Sequence, residues 1–219
     1  MEYQENTPQN LTSMWVLLAE DNTLQTVSFG GKLLDGFEVP FEEIINPLES
    51  YVYENNDLRY CRERHLEYAR KIKMEDLAQQ AQKIINEGFQ FEISPNDIVV
   101  IPYELEDRLR LLALPTVFGK GIINEIVWTV NRTSSKAVDR IQVTAGMLEG
   151  LTISALMHEN LNVSILRDVL EPMIRNTQSL EELEKINWEM LEMPSFIGNS
   201  NPEVCLFRVD RIRKEFELK

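Results

Sequence analysis

The first regular hydrophobic pattern of the chain covers residues 14–29. Apolar and β-prone residues dominate positions 14–19 and 24–29, on either side of the polar triplet at 21–23. Two β-prone runs around a short polar turn are typical of a β-hairpin. We therefore predict a hairpin here, preceded by a loose polar arm at residues 1–10 and followed by an extended connection at residues 37–56.

A helical period follows over residues 57–87. Small or apolar side chains recur every three or four positions in two stripes, which comprise Leu58, Cys61, His65, Ala69 and Ile72, then Met74, Leu77, Ala81 and Ile84. This spacing predicts a helix that Asp57 caps and Gly88 ends. The second stripe is offset by two residues from the first, which favours a bend or two packed helices over one uniform coiled coil.

Short strands and helices alternate in the second half. The predicted strands lie at residues 89–93, 98–101, 122–130 and 140–143, with a polar loop at 131–136 and a further short buried strand around Cys205. A helix that starts at Pro102 leads through Leu105, Leu109 and Leu112 and ends at Pro115. Three more helices are predicted, at about 145–159 after a Thr144 cap, at 163–176, and from the capping box at 179–182 to near Pro194.

These elements predict an α+β fold with three regions. Residues 1–56 form an N-terminal β-hairpin lobe, and residues 57–193 form a mainly helical domain with a small antiparallel strand pair. Residues 194–219 form a charged, mildly basic C-terminal tail.

Composition and charge limit the function classes. The chain has 219 residues, 43% of them hydrophobic, and a formal net charge of −14, which opposes binding to nucleic-acid phosphates. No apolar run approaches the roughly 20 residues that span a bilayer, and the polar, acidic start has no signal-peptide pattern. The two cysteines, Cys61 and Cys205, make no disulfide scaffold, so a reducing cytoplasm is expected.

Motifs for catalysis, cofactors and metals give no site. The sequences Gly30-Gly31-Lys32 and Gly119-Lys120-Gly121 lack the earlier glycine and the Ser/Thr of a phosphate loop, so we interpret them as turns. Cys61 and His65 share a helix stripe, but two potential ligands on an apolar stripe favour packing over metal binding. Adjacent carboxylates occur by chance in a chain with 36 acids, and no Gly-x-Ser-x-Gly elbow exists. We therefore expect no enzyme, no cofactor and no metal.

Two surfaces are candidates for contacts with other molecules. Six basic residues cluster in an otherwise acidic chain, and they are Arg59, Arg62, Arg64, Arg70, Lys71 and Lys73. A solvated helix face, or a face that docks an acidic subunit, explains them better than a nucleic-acid surface. Residues 147–157 carry more Met, Leu and Ile than one helical stripe needs, which favours core packing, with a protein-binding groove as the alternative.

A series of short motifs in the second half carries a family resemblance. The motifs are, in order, Asp107-Arg108-Leu109-Arg110-Leu111-Leu112, Ile126-Val127-Trp128-Thr129-Val130, Ile141-Gln142-Val143-Thr144-Ala145, Met147-Leu148-Glu149-Gly150-Leu151 and Ser179-Leu180-Glu181-Glu182-Leu183-Glu184-Lys185-Ile186-Asn187-Trp188. The series resembles a phage domain of uncharacterised function, found in small proteins encoded beside tail-fibre genes and often labelled tail-fibre assembly proteins. The match covers roughly residues 88–190, and the opening hairpin also looks like the start of such proteins. The loop at 131–136 and the segment after Pro194 depart from the family pattern.

The resemblance implies a non-enzymatic assembly protein that binds a fibre polypeptide in the host cytoplasm. Surplus apolar residues then nominate Leu151, Met157 and Trp188 as partner contacts. The alternative is a permanent tail, fibre or baseplate component, which would stay in the virion tail. A third hypothesis is a hydrolase or nuclease with an unrecognised carboxylate site. The expected partner is a phage fibre or tail protein, and we expect neither nucleic acid nor a membrane as a partner. A homo-oligomer of the chain is compatible with the sequence.

Overall fold

The computed structural model describes residues 12–29, 31–40, 42–133, 137–192 and 195–218. The predicted arm at residues 1–10 lies outside them. The chain divides into two compact units, of which the first comprises Met1–Ile72 with Gln178–Leu183 and the second comprises Lys73–Thr177 with Glu184–Lys219. The chain combines helices with antiparallel strands, so the predicted α+β class is confirmed.

The first unit is built on short antiparallel strands. They are β1 (Ser13–Leu18), β2 (Leu24–Ser28), β3 (Phe37–Pro40), β4 (Tyr51–Glu54) and β5 (Asp57–Tyr60). The predicted hairpin is confirmed as β1 and β2, and β3 pairs with the other edge of β1 in a three-stranded sheet. Alternate residues of these strands, such as Met14 and Val16, are buried in a small apolar core.

The start of the long helix differs from the prediction. Residues 57–60 form β5 and pair with β4, so Asp57 lies in a strand and caps no helix. Asn55 and Asn56 have φ angles of 54° and 63°, the left-handed conformation that a two-residue hairpin turn requires. Helix α1 (Arg62–Glu87) follows as one continuous helix, so the alternative of two packed helices is wrong.

A five-stranded sheet forms the centre of the second unit. Its strands are β6 (Phe89–Ser94), β7 (Asp97–Ile101), β8 (Glu125–Arg132), β9 (Val138–Thr144) and β10 (Ile197–Asn199). The order is β10-β6-β7-β8-β9, with β10 parallel to β6 and the other pairs antiparallel. The predicted strand pair, β8 and β9, is therefore one end of a larger sheet. Its alternation is visible in β8, where Trp128 and Val130 are buried and Val127 and Thr129 are exposed.

Helices α2 (Leu105–Gly119) and α3 (Ala145–Ser164) pack on the buried face of this sheet. Helix α6 (Pro202–Glu215) packs against α3 and β10. The two remaining helices are α4 (Glu171–Asn176) and the short α5 (Leu180–Lys185), and α5 spans the boundary of the two units. A π-helical turn at Ile165–Leu170 joins α3 to α4. Leu111 and Leu114 of α2 and Leu148, Leu151 and Ala155 of α3 pack with the strand residues in one core.

Pro115 lies inside α2 and does not end it. The helix continues to Gly119, although the proline ring removes the N–H that would bond to the carbonyl of Leu111. Leu111 and Leu114, in the helical turn before Pro115, are buried in the sheet core. That packing stabilises the helix beyond what its own hydrogen bonds supply.

The predicted C-terminal tail folds into the second unit as β10 and α6. Asn201 caps α6 by accepting a 3.0 Å hydrogen bond from the N–H of Glu203. Cys205, which we predicted in a strand, is buried on the inner face of α6 with Val209 and Ile212. Arg208 donates a 2.9 Å hydrogen bond from Nη2 to Oε2 of Glu92 in β6, which fixes α6 to the sheet.

Glycine allows a close approach between α3 and the chain segment before α6. A Cβ atom at Gly150 would lie 2.5 Å from the Cα of Ser200, and at Gly198 it would lie 2.5 Å from the hydroxyl of Ser154. Any other residue at Gly150 would have to displace backbone. This contact gives α3 a second packed side in addition to the side that faces the sheet.

Candidate functional site

Two of the three nominated partner contacts lie in the core. Leu151 is 1% exposed and packs among the strand residues of the second unit. Trp188 is 8% exposed, and its Nε1 donates a 3.2 Å hydrogen bond to the carbonyl of Leu77. Met157 is half-buried. Leu151 and Trp188, which we nominated as partner contacts, are therefore buried in the fold, so they offer no surface to a partner.

The surplus of apolar residues in α3 has a structural explanation. This helix packs on the sheet through Leu148, Leu151 and Ala155 and comes close to Ser200 through Gly150. A helix with two packed sides carries more than one apolar stripe, so its hydrophobicity alone does not indicate a partner.

An apolar cleft of about 310 Å³ opens between the C-terminal half of α2 and the N-terminal half of α3. Its lining residues are Pro115, Phe118, Ala145, Leu148, Glu149, Thr152 and Ile153. Leu148 is buried and forms the floor, Phe118 and Ile153 are half-buried, and Pro115 and Ala145 are exposed at the rim. The cleft is therefore open to another molecule.

Glu149 is the charged residue among those that line this cleft, and its side chain is exposed. The hydroxyl of Thr152 donates a 2.8 Å hydrogen bond to the carbonyl of Leu148 within α3. That hydroxyl is thus satisfied inside the helix. The cleft presents mainly apolar surface with one carboxylate at its edge.

A group of polar residues, called here the Tyr103 clamp, joins α2 to α3 away from the cleft. It comprises Asn86, Tyr103, Arg108 and Glu159. The Tyr103 hydroxyl donates a 3.1 Å hydrogen bond to Oε2 of Glu159, and Nη1 of Arg108 lies 3.7 Å from Oε1 of the same carboxylate. Arg108 also donates a 3.0 Å hydrogen bond to Oδ1 of Asn86 and lies over the Tyr103 ring. Burial, followed by the charge of Glu159, raises the pKa of Tyr103 to about 12.

His158 is buried next to this clamp, against the rings of Phe89 and Tyr103. Its Nδ1 lies 3.3 Å from Nδ2 of Asn162. Burial lowers the pKa of His158, and the backbone carbonyl of Ile85 opposes that shift. The neutral form of His158 is therefore the one that the fold favours.

The two residues considered for a metal site have protein partners. The His65 Nδ1 lies 2.9 Å from the Tyr60 hydroxyl, and the Cys61 thiol donates a 3.4 Å hydrogen bond to Oε2 of Glu63. Across the described ranges, His, Cys, Asp and Glu side chains form no group of three or more that could hold a metal ion. Those ranges also contain no helix with the length and hydropathy to cross a membrane.

Two other candidate features have structural roles. In the basic cluster, Arg64 forms a 2.6 Å ion pair with Asp21 in the turn of the first hairpin, and Arg59 forms a 2.7 Å pair with Asp57. Gly121, in the Gly-Lys-Gly sequence, has a φ of 67° and lies two residues after the end of α2. The interpretation of that sequence as a turn is confirmed.

The outer face of α2 is a second exposed apolar surface. Leu105, Leu109 and Leu112 are 70%, 58% and 72% exposed. They follow the helical spacing that predicted α2, but Leu111 and Leu114 are the residues that this helix buries.

Searches of the chain against models of known protein families, curated proteins and solved structures return no significant match.

Proposed function

We propose that this chain is a non-enzymatic assembly protein that binds an apolar segment of a partner polypeptide in the cleft between α2 and α3. The observation that carries this proposal is the cleft itself, about 310 Å³ in volume and lined mainly by apolar side chains. Pockets of roughly 300 Å³ are at the small end of ligand sites, a size that suits one or two side chains of a peptide.

The negative charge of the cleft rim and of the whole chain favours a partner segment that carries basic residues. Glu149 lies at the cleft, and the chain as a whole has a formal charge of −14. Electrostatic complementarity favours a segment in which Lys or Arg flanks the apolar side chain, because such a segment is attracted before contact and pairs with the rim carboxylate afterwards.

The partner that we propose is a phage tail-fibre polypeptide, on the basis of the resemblance of the second half to tail-fibre assembly proteins. An assembly protein would cover the client's exposed apolar segment until the fibre forms its own subunit contacts. The alternative role, as a permanent tail component, uses the same contact and differs in whether the protein leaves.

Site-specific photocrosslinking in cells tests the proposed contact. A photoreactive amino acid replaces Ala145 at the rim of the cleft, and a matched chain carries it at Ala78, an exposed position of α1 that does not line the cleft. Each chain is co-expressed with a phage tail-fibre polypeptide, the proposed partner. We expect a crosslink to the fibre from position 145 and none from position 78.

Finished particles separate the two roles. An assembly protein is absent or substoichiometric in purified virions, whereas a permanent component is present at a fixed ratio to the fibre.

The crosslinking experiment can contradict the proposed cleft contact in two ways. Either positions 145 and 78 crosslink equally, or neither crosslinks when the fibre is soluble and abundant.

A further inference from the structure

The two edges of the five-stranded sheet differ in what covers them. Strand β10, at one edge, has three residues and packs against α6. Nη1 of Arg208 in α6 also donates a 2.7 Å hydrogen bond to the carbonyl of Ile197, so the chain itself closes this edge. At the other edge β9 pairs with β8, and no second strand among the described residues pairs with it.

The edge at β9 is long and regular. The strand has seven residues, about 23 Å of extended chain, and every one of them pairs with β8 without a register shift. Natural sheets usually protect an edge with a short strand, a bulge or a proline, because an open edge is a template for a further strand. None of these three devices is present in β9.

Hydrogen bonds identify which backbone groups lie on the open side of β9. The N–H of Arg132 in β8 donates a 2.9 Å hydrogen bond to the carbonyl of Ala137. In an antiparallel pair every second residue bonds to the neighbouring strand, so the residues two, four and six positions after Ala137 face β8. The intervening residues direct their N–H and carbonyl groups away from β8, and they are Val138, Arg140 and Gln142.

The N–H of Arg140 confirms this direction. It donates a 2.8 Å hydrogen bond to Oδ1 of Asp139, a side chain of its own strand, and not to a carbonyl of β8. The described residues supply no backbone partner to the N–H groups of Val138 and Gln142. Those N–H groups, and the carbonyls that alternate with them, are therefore open to another chain.

We propose that an extended segment of the partner polypeptide adds to this sheet as a sixth strand along β9, an inference that rests on the proposed function. Outward N–H and carbonyl groups at every second residue are complementary to another extended chain, because a helix uses these groups internally. The open edge therefore specifies the conformation of the segment that binds it.

The position of the cleft favours the partner polypeptide as the occupant of this edge. Thr144 is the last residue of β9, and Ala145, at the rim of the cleft, directly follows it. Their Cα atoms are one peptide apart, about 3.8 Å. The open edge and the proposed cleft are thus continuous along the chain, so one bound segment has access to both.

Hydrogen exchange at single amides tests the added strand in the complex of the full chain with a phage tail-fibre polypeptide. In the free chain, the N–H groups of Val138 and Gln142 should exchange fast, while that of Ile141 is protected by β8. In the complex, exchange at Val138 and Gln142 should slow by about tenfold or more, as expected for new backbone hydrogen bonds. Unchanged exchange in the complex would overturn the proposal. Protection in the free chain at high concentration would also overturn it, because it would assign the edge to a second copy.

Two substitutions at one position test the backbone contact directly. Gln142→Pro removes the outward N–H and is compatible with an edge strand, because that N–H makes no bond to β8. Gln142→Thr, the matched control, replaces the same side chain and keeps the N–H. We expect Gln142→Pro to reduce the amount of fibre that copurifies by about tenfold or more, and Gln142→Thr to leave it unchanged. Circular dichroism verifies that both variants are folded, and equal copurification with the two would contradict the added strand.

The exchange and crosslinking experiments separate this inference from the proposed function. A crosslink from position 145 without protection in β9 would retain the cleft contact and overturn the added strand. Protection in β9 without that crosslink would retain the added strand and contradict the cleft contact. Absence of both would contradict both proposals.

Discussion

Tyr103 and Glu159 are 56 residues apart in sequence and joined by a 3.1 Å hydrogen bond from the phenol to the carboxylate. Tyr103 lies just before α2, and Glu159 lies near the C-terminal end of α3. Because the cleft is formed by the same two helices, this contact fixes the helices that carry the proposed binding surface.

Replacement of Tyr103 by phenylalanine measures the strength of that contact. Tyr103→Phe retains the ring under Arg108 and removes the hydroxyl, so we expect a loss of about 1 kcal/mol in the free energy of unfolding. Urea denaturation at pH 7 provides the measurement. A double-mutant cycle with Glu159→Gln assigns the loss to this pair, and additive effects of the two changes would show that the pair is not coupled.

The close approach at Gly150 predicts different effects for two glycines of the same helix. Gly150→Ala places a Cβ atom 2.5 Å from the backbone of Ser200, so we expect a loss of about 1–3 kcal/mol in the free energy of unfolding. Gly146→Ala is the matched control, because the nearest atom to its Cβ is the Thr144 hydroxyl at 4.0 Å. Alanine there should leave stability unchanged or raise it by up to about 1 kcal/mol, as helix propensity dictates. Equal thermal unfolding of the two variants would contradict the packing described between α3 and Ser200.

Stability should fall as pH decreases below about 6.5, because of His158. Burial lowers the pKa of His158 in the folded chain, while Glu159 raises it and Arg108 lowers it further. The unfolded chain therefore binds a proton at this histidine before the folded chain does, and the group's contribution is complete only above the unfolded value near 6.5. Denaturant midpoints from pH 8 to pH 5 measure the fall.

A pair of histidine variants identifies the source of that pH dependence. His158→Gln should lower stability at pH 7 and flatten the decline between pH 7 and pH 5. His65→Gln removes the other histidine of the chain and should keep the decline. A decline that survives in His158→Gln would assign the pH dependence to other groups.

Strands and turns with strong local signals are predictable from this sequence, and two further elements also have local signals in their residues. The alternation around Trp128 and Val130 predicted β8, because one face of a strand is buried and the other is not. Asn55-Asn56 is a pair of residues that tolerate positive φ, which indicates the β4–β5 hairpin that the long helical pattern obscured. The cap at Asn201 and the spacing of Cys205 and Val209 indicate α6 in the segment expected to be a tail.

The α3 side of the candidate cleft falls within residues 147–157, for which the sequence offered a protein-binding groove as the alternative to core packing, but the part played by α2 was not predictable. Helix α2 has one apolar stripe through Leu109 and another through Leu111, and both have helical spacing. Only the tertiary structure decides which stripe packs on the sheet and which remains exposed. The same ambiguity made Leu151 a candidate contact, although it is buried between α3 and the strands.

The most direct test of the proposed function is the soluble yield of the fibre polypeptide when it is co-expressed with two tryptophan variants. Ala145→Trp fills the cleft from its rim, while Ala78→Trp adds the same side chain at an exposed helical position elsewhere. We expect the unmodified chain and Ala78→Trp to raise the yield of soluble fibre, and Ala145→Trp, although folded, to lose most of that effect. Equal yields with the two variants would contradict the assignment of client binding to the cleft between α2 and α3.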